Sequence, residues 1–227
     1  MRKQQVLFAS LRGGVYDKGV NRKRCEMKET AVQAGSAALQ DERSIVTDRL
    51  VLRPFGKGDL DILHRLYGDA EVMHYTPFDL ESPRQSEAHL ARVVADWCET
   101  PLLSREYVIA VRDSEQKIGR CHILLEDAAG GSAMIGWMLV QEAWGKGYAT
   151  ETAAALIAYG FDVLGLAEVY GLCHPDNAAS RRAMEKCGMT LQEWRKDYAE
   201  YKKNGRRFLQ DELKYILARP SSDGSVR

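Results

Sequence analysis

The chain has 227 residues, of which 45% are hydrophobic and 28% charged, enough for one substantial core. Its 32 Lys and Arg balance 32 Asp and Glu, and no stretch approaches the roughly 20 apolar residues that span a bilayer, so we expect neither a nucleic-acid nor a membrane partner. Five cysteines without a CxxC pair or zinc-ligand spacing favour a cytoplasmic protein with neither a disulfide framework nor a metal site.

Residues 1–44 differ in composition from the rest of the chain. The stretch MRKQQVLFASLRGGVYDKGVNRKRC is rich in Arg, Lys and Gly and lacks periodicity, which predicts a flexible basic leader. A targeting or nucleic-acid arm is the alternative, and Met27 is a candidate start if the first codon has been placed too far upstream. The regular pattern that begins at Ile45 predicts one domain over 45–218 and a frayed tail over 219–227.

The first half of this domain reads as a strand, two helices and three strands. IVTDRLVLRPF alternates around Leu50 and Leu52 as a strand does. GDLDILHRLYGDAEVMHY and SEAHLARVVADWCE place apolar residues at helical spacing. EYVIAV, KIGRCHILLE and SAMIGWMLV follow, separated by the turn signals RDSEQ and DAAGG. The three strands predict an antiparallel meander.

The second half interleaves helices with strands. TETAAALIAYGFDVLG predicts a helix from about Thr150 to near Gly165, and AEVYGLCH predicts a short strand. PDNAASRRAMEKCG predicts a second helix capped by Asp176 or Asn177. The NG within MTLQEWRKDYAEYKKNGRRFLQDELKYILAR predicts a long hairpin. The order of elements is typical of an α+β domain with a mixed sheet.

A glycine-rich turn, QEAWGKGYAT over 141–150, lies where a strand ends and a helix begins. Glycine accepts positive φ, and a glycine turn before a helix presents free N–H groups to a phosphate. A nucleotide P-loop needs GxxxxGK followed by Ser or Thr, which this turn lacks. A dinucleotide fold needs a third glycine where Thr150 stands, so it stays a distant alternative. A purely structural turn is also open.

The string WGKGYATE resembles the turn by which the GNAT superfamily of N-acetyltransferases binds acyl-CoA. It is similar to the branch that acetylates the N-termini of ribosomal proteins, as are TDRLVLRPF, IGWMLV and NAASRRAMEKCGM, in that order, between about Ile45 and Leu217. The usual turn begins with Gln or Arg, whereas this chain has Trp144 there. The resemblance implies a GNAT-type fold: a central mixed, mostly antiparallel sheet flanked by helices, with a V-shaped splay between two parallel strands that binds acyl-CoA.

The resemblance also assigns residues to an acetyl-CoA site without a metal. Backbone groups of the strand end would hold the pantetheine arm, at Met138, Leu139 and Val140. The turn would hold the pyrophosphate, through Gly145, Lys146, Gly147, Tyr148, Ala149 and Thr150. Asn177 would cap its helix and contact the pantetheine as well.

The acid and the base of the reaction are harder to assign. Many relatives protonate the departing sulfur with a tyrosine seven residues after the asparagine, where this chain has Met184. The branch resembled here has a serine near the sulfur at the position of Ser180, which makes Ser180 the candidate catalytic acid. No spacing singles out a base among the candidates Glu126, Glu200, His74 and His122. An α-amine is roughly one-third neutral near pH 7.5, whereas a lysine amine is only about 0.1% neutral. An α-amine therefore needs little help from a base, and the lack of an identifiable base favours α-amine acceptors.

We therefore expect an acyltransferase that moves an acetyl group from acetyl-CoA to a protein or peptide N-terminus or to a small-molecule amine. A catalytically weak acyl-CoA-binding or interaction protein is the alternative, motivated by Met184. A nucleic-acid-associated factor acting through the basic leader is a third. Acceptor specificity is expected from the segment 74–79 and the late hairpin, and a homodimer is the default assembly.

Overall fold

The structure, a computed structural model, describes residues 41–126 and 129–220. The predictions for residues 1–40 and 221–227 lie outside these ranges. In chain order the elements are β1 (Ile45–Val46), β2 (Leu50–Pro54), α1 (Leu60–Tyr67), α2 (Pro83–Asp96), β3 (Ser104–Val111), β4 (Lys117–Leu125), β5 (Ser132–Leu139), α3 (Tyr148–Asp162), β6 (Glu168–Cys173), α4 (Ala178–Lys186), β7 (Thr190–Lys203) and β8 (Arg206–Ala218).

The strands of the described ranges form one mixed sheet in the order β1-β2-β3-β4-β5-β6-β8-β7. Neighbouring strands are antiparallel except β5 and β6, which are parallel and are joined by the crossover helix α3. This confirms the predicted α+β class, the antiparallel meander of β3 to β5 and the mostly antiparallel sheet. Every helix in residues 41–126 and 129–220 falls short of the length and apolar character that a membrane span requires.

The two faces of the sheet carry different helices. Glu106 of β3 contacts Arg92 of α2, and Arg120 of β4 contacts Tyr67 of α1. Helices α1 and α2 therefore lie on the same face of the sheet. Helix α3 packs against β5, and α4 packs against α3. The apolar core between the layers includes fully buried residues from each half of the chain, such as Leu52, Leu63, Ile123, Ile135 and Leu156.

The boundaries of three helices differ from the predictions. Helix α1 ends at Tyr67, because the Asp69 carboxylate accepts the N–H groups of residues 71 and 72 and holds the following segment in turns. Helix α2 begins at Pro83, earlier than the apolar pattern indicated, with Ser82 and Gln85 forming a capping box. Helix α3 begins at Tyr148 rather than near Thr150.

The predicted late hairpin is confirmed. Asn204 and Gly205 connect β7 and β8 with φ of 52° and 78°, the left-handed pair that a two-residue turn needs. Near its tip, Lys203 Nζ donates to the carbonyl oxygens of residues 73 and 76 at 3.1 and 3.0 Å, and Asn204 N donates to Asp79 Oδ1 at 2.6 Å. The hairpin and the segment 73–79 therefore form one connected rim.

Candidate active site

A cavity of about 320 Å³ lies where β5 and β6 separate. The two strands pair only from Ser132 to Met134 on β5, opposite Glu168 to Tyr170 on β6, although β5 continues to Leu139. The unpaired part of β5 lines one side of the cavity, and the end of β6 lines the other. The predicted splay between two parallel strands is thus present, and it is open enough to admit a ligand.

The end of β5 turns part of its backbone towards this opening. Val140 N donates to Ile118 O at 2.9 Å, so its N–H faces β4. Because backbone groups alternate in direction along a strand, the N–H and C=O of Leu139 face the splay. The Leu139 carbonyl accepts the indole N–H of Trp144 at 2.8 Å. The backbone N–H of Leu139 points into the splay and is placed to donate to a ligand. Among the predicted pantetheine residues, Met138 and Leu139 line the cavity, and Val140 is buried beside them.

The glycine turn adjoins the same cavity and starts helix α3. Gly145 and Gly147 have φ of 72° and 82°, a conformation that a residue with a side chain rarely adopts. Gly147 is the N-cap of α3, so the N–H groups of Tyr148, Ala149 and Thr150 lie in the first turn, where no helical carbonyl precedes them. Ala149 also lines the cavity. Free amides and the positive end of the helix dipole make this turn suited to a phosphate group.

Arg49, one residue before β2, holds the turn in place, a role that the sequence did not reveal. Its Nη1 donates to the carbonyl of Lys146 at 3.0 Å, and its Nε donates to Glu151 Oε2 at 2.7 Å. Its guanidinium also stacks over the ring of Tyr148 at 4.8 Å. The Lys146 side chain itself is exposed. The turn therefore combines free amides with the exposed Lys146, whereas the charge of Arg49 is paired with Glu151.

The start of α4 supplies the third part of the site. Of the two predicted caps, Asn177 is the one that forms: its Oδ1 accepts Ser180 N at 3.0 Å. Asn177 and Ser180 both line the cavity, and within the described residues the Ser180 hydroxyl has no hydrogen bond. Met184, one turn further on, is 1% exposed and packs against Gly171. A Cβ built on Gly171 would lie 2.7 Å from the Met184 sulfur. A thioether has no proton to donate, so Met184 shapes the cavity only.

A buried ionic cluster forms the floor of the cavity on the α1 side. Arg120 donates to Glu106 Oε2, to the Tyr67 hydroxyl and, at 3.1 Å, to His122 Nδ1. Burial opposes the charge on Glu106, but Arg120 and then Arg92 outweigh it and hold its pKa at about 2. Burial, followed by the charge of Arg120, lowers the pKa of His122 to about 3. The sequence pattern did not reveal this cluster, although Glu106 and Arg120 are charged residues within the largely apolar strands SREYVIAV and KIGRCHILL.

The four base candidates from the sequence occupy unequal positions. Glu126, His74 and Glu200 are exposed and lie outside the residues that line the cavity. His122 lines the cavity, but its Nδ1 lone pair accepts from Arg120. A neutral His122 therefore carries its proton on Nε2 and offers no free lone pair to an amine. Within 41–126 and 129–220 no group of three or more His, Cys, Asp and Glu could hold a metal ion.

A mixed sheet that opens between two parallel strands beside a free helix start is the arrangement that the sequence resemblance implied. The fold and the cavity thus define an acetyltransferase-type protein. The chain belongs to the GNAT family, since the model of the acetyltransferase (GNAT) domain matches residues 49–190.

Known proteins agree with this assignment. The chain is 30% identical over 163 residues to the uncharacterized N-acetyltransferase p20 of Bacillus licheniformis. The matched region covers 70% of this chain and 89% of that protein. It shares its fold with a GNAT-family acetyltransferase from Bacillus anthracis, at 23% identity and a TM-score of 0.66, over 77% of this chain and 98% of the other. A spermidine N-acetyltransferase from Vibrio cholerae, solved with CoA and spermine, matches at 23% identity and a TM-score of 0.63, over 76% and 96%.

Proposed function

We propose that this acetyltransferase moves an acetyl group from acetyl-CoA directly to a primary amine, either a protein or peptide N-terminus or a small-molecule amine. The observation that carries the proposal is that the splay between β5 and β6 opens onto the glycine turn. A thioester lying in the splay and a pyrophosphate lying on the turn would thus belong to one ligand.

The residues present fit acetyl-CoA. The pyrophosphate would bind the N–H groups of the turn from Gly145 to Thr150, with the charge of Lys146 nearby. The pantetheine arm would run along Met138 and Leu139 and pass the cap residue Asn177. We infer no metal role, because acetyl transfer to an amine needs only a polarised carbonyl and two proton transfers.

Two groups in the cavity would serve the thioester. The N–H of Leu139, which faces the splay, would donate to the carbonyl oxygen as negative charge develops there. The hydroxyl of Ser180, which has no hydrogen-bond partner among the described residues, would give a proton to the departing sulfur. Ser180 would thereby replace the tyrosine whose position Met184 occupies.

The acceptor side opens towards the rim formed by the hairpin and the segment 73–79. Tyr75, Phe78 and Tyr201 line the cavity there. The resemblance to the ribosomal-protein branch favours a protein N-terminus, whereas the Vibrio cholerae neighbour binds a polyamine. The proposal therefore names the amine and leaves its carrier to experiment.

A non-catalytic acyl-CoA-binding protein is the second candidate, favoured by the buried thioether of Met184. Release of the free thiol of CoA separates the two functions. Acetyl-CoA would be incubated with the protein and with spermidine, the peptide Ala-Ala-Ala or Nα-acetyl-lysine, and free thiol would be followed. Release that depends on one of the amines supports the enzyme, and binding of acetyl-CoA without such release supports the second candidate.

A further inference from the structure

Glu212 on β8 lines the cavity and was not singled out by its sequence pattern. The register of β6 and β8 pairs Leu213 with Cys173, which places Glu212 level with His174, just past the end of β6. Glu212 is 5% exposed and lines the same cavity as Ser180. It is thus a buried carboxylate at the mouth of the splay.

The charge of Glu212 is only weakly compensated. Its Oε1 accepts Arg195 Nη1 at 3.5 Å, and among the described residues no donor contacts Oε2. Arg195 has a closer partner, because its Nε donates to Glu193 Oε2 at 2.8 Å. A buried carboxylate with one long hydrogen bond has a large cost in its ionised form and takes up a proton readily.

The titration of Glu212 follows from these surroundings. Burial raises its pKa to about 7, and Arg195 opposes the rise. The other titratable groups that interact with it come from β7 and β6, namely Glu193, Tyr198, Tyr201, Tyr170 and Cys173. A carboxyl that titrates near neutral pH can accept a proton and release it again within one catalytic cycle.

Glu212 and Ser180 approach the cavity from opposite faces of the sheet. Tyr215 of β8 donates its hydroxyl proton to Glu185 of α4 at 2.8 Å, so this side chain projects towards α4. Side chains alternate along a strand, and Glu212, three residues earlier, therefore projects from the face away from α4. Because both Glu212 and Ser180 line the cavity, the cavity passes through the splay.

We propose that Glu212 is the general base of the transfer, an inference that rests on the proposed acetyltransferase function. Its carboxylate takes one proton from the attacking amine while the N–C bond forms and the C–S bond breaks. The departing thiolate takes one proton from Ser180 on the other face. The amine loses one proton and the thiol gains one, and exchange with solvent returns both side chains to their starting states.

Glu212→Gln tests the assignment, with Glu193→Gln as the matched control. Both residues contact Arg195, but Glu193 is exposed and outside the cavity lining. Thiol release would be measured from pH 5.5 to 9 with saturating acetyl-CoA and with spermidine, Ala-Ala-Ala or Nα-acetyl-lysine. We expect E212Q to lower kcat by about 100-fold or more and to abolish the rise in rate near pH 7. E193Q should keep kcat within about threefold and keep the rise in rate, moved to a slightly lower pH, because the charge of Glu193 helps to raise the pKa of Glu212. E212Q should keep the thermal shift with acetyl-CoA.

Each result decides one point. A wild type that turns over one of the amines, with E212Q within about threefold of it and the same pH profile, would overturn the assignment and leave the acetyltransferase function intact. A wild type that releases no thiol with any of the amines would overturn the proposed function and the assignment with it. If E212D partly restores the rise in the rate of thiol release near pH 7, that result would support a proton acceptor at this position.

Discussion

The Glu212→Gln variant should be more stable than the wild type at alkaline pH and nearly equal to it at acidic pH. Burial raises the pKa of Glu212 in the folded chain from 4.5 to about 7. The folded state therefore holds this proton more tightly than the unfolded chain does. The contribution of Glu212 to stability is complete below pH 4.5 and is lost as the pH rises towards 7. Glutamine has a similar shape and no charge, so the variant escapes that loss.

The size of the effect follows from the two pKa values. A rise from 4.5 to about 7 is about 2.5 units, which at about 1.36 kcal/mol per unit gives at most about 3 kcal/mol above pH 8. Solvent screens the group little, because Glu212 is 5% exposed. With about 2–4 °C of Tm per kcal/mol for a domain of this size, E212Q should melt up to roughly 6–12 °C above the wild type at pH 8.5 and within about 2 °C of it at pH 4.5.

Scanning calorimetry at pH 4.5, 6, 7 and 8.5 measures these differences. The Glu193→Gln protein should keep most of the wild-type pH dependence, because burial raises the pKa of Glu212 more than Glu193 does and the Glu193 side chain is 53% exposed. Equal Tm values for the wild type and E212Q at pH 8.5 would refute the reasoning. So would a difference of the same size at both pH limits, since a constant difference reports packing rather than titration.

Three further variants, the last with a control variant, examine other parts of the site. Ser180→Ala should lower kcat by about tenfold or more and keep the KM for acetyl-CoA within about twofold, and an unchanged kcat would reject Ser180 as the acid. Gly147→Val should raise the KM for acetyl-CoA by about tenfold, because a branched side chain at φ 82° deforms the turn; an unchanged KM would make the turn purely structural. Glu106→Gln should lower the free energy of unfolding in urea by about 3–5 kcal/mol, because it leaves buried Arg120 charged and uncompensated. The exposed Glu200→Gln should change it by less than about 1 kcal/mol, and equal losses would contradict this account.

Local patterns predicted the elements well where one short stretch determines the backbone. Asn204 and Gly205 specify a two-residue turn by themselves, and the cap at Asn177 needs only the first turn of its helix. Helix α1 was predicted too long because apolar spacing continues past Tyr67, whereas the Asp69 side chain bonds the backbone in turns.

The parts of the site that depend on distant contacts could not be predicted. Arg49 and Glu151 are 102 residues apart in the chain, and only the fold brings them together at the glycine turn. Glu200 and Glu212 are both acidic residues in the same hairpin, yet only Glu212 is buried against the end of β6. Burial, rather than spacing, distinguishes them, and burial is set by the packing of the whole sheet.

The central claim is that the splay and the glycine turn bind acetyl-CoA as one ligand. The most direct measurement is the change in Tm of the purified protein with acetyl-CoA, CoA, NAD or ATP. A ligand at 100 times its Kd stabilises a fold by about 2.7 kcal/mol, or roughly 5–11 °C here. The account predicts this shift with acetyl-CoA and CoA and no comparable shift with NAD or ATP. A shift with NAD or ATP alone, or with none of the four, would contradict it.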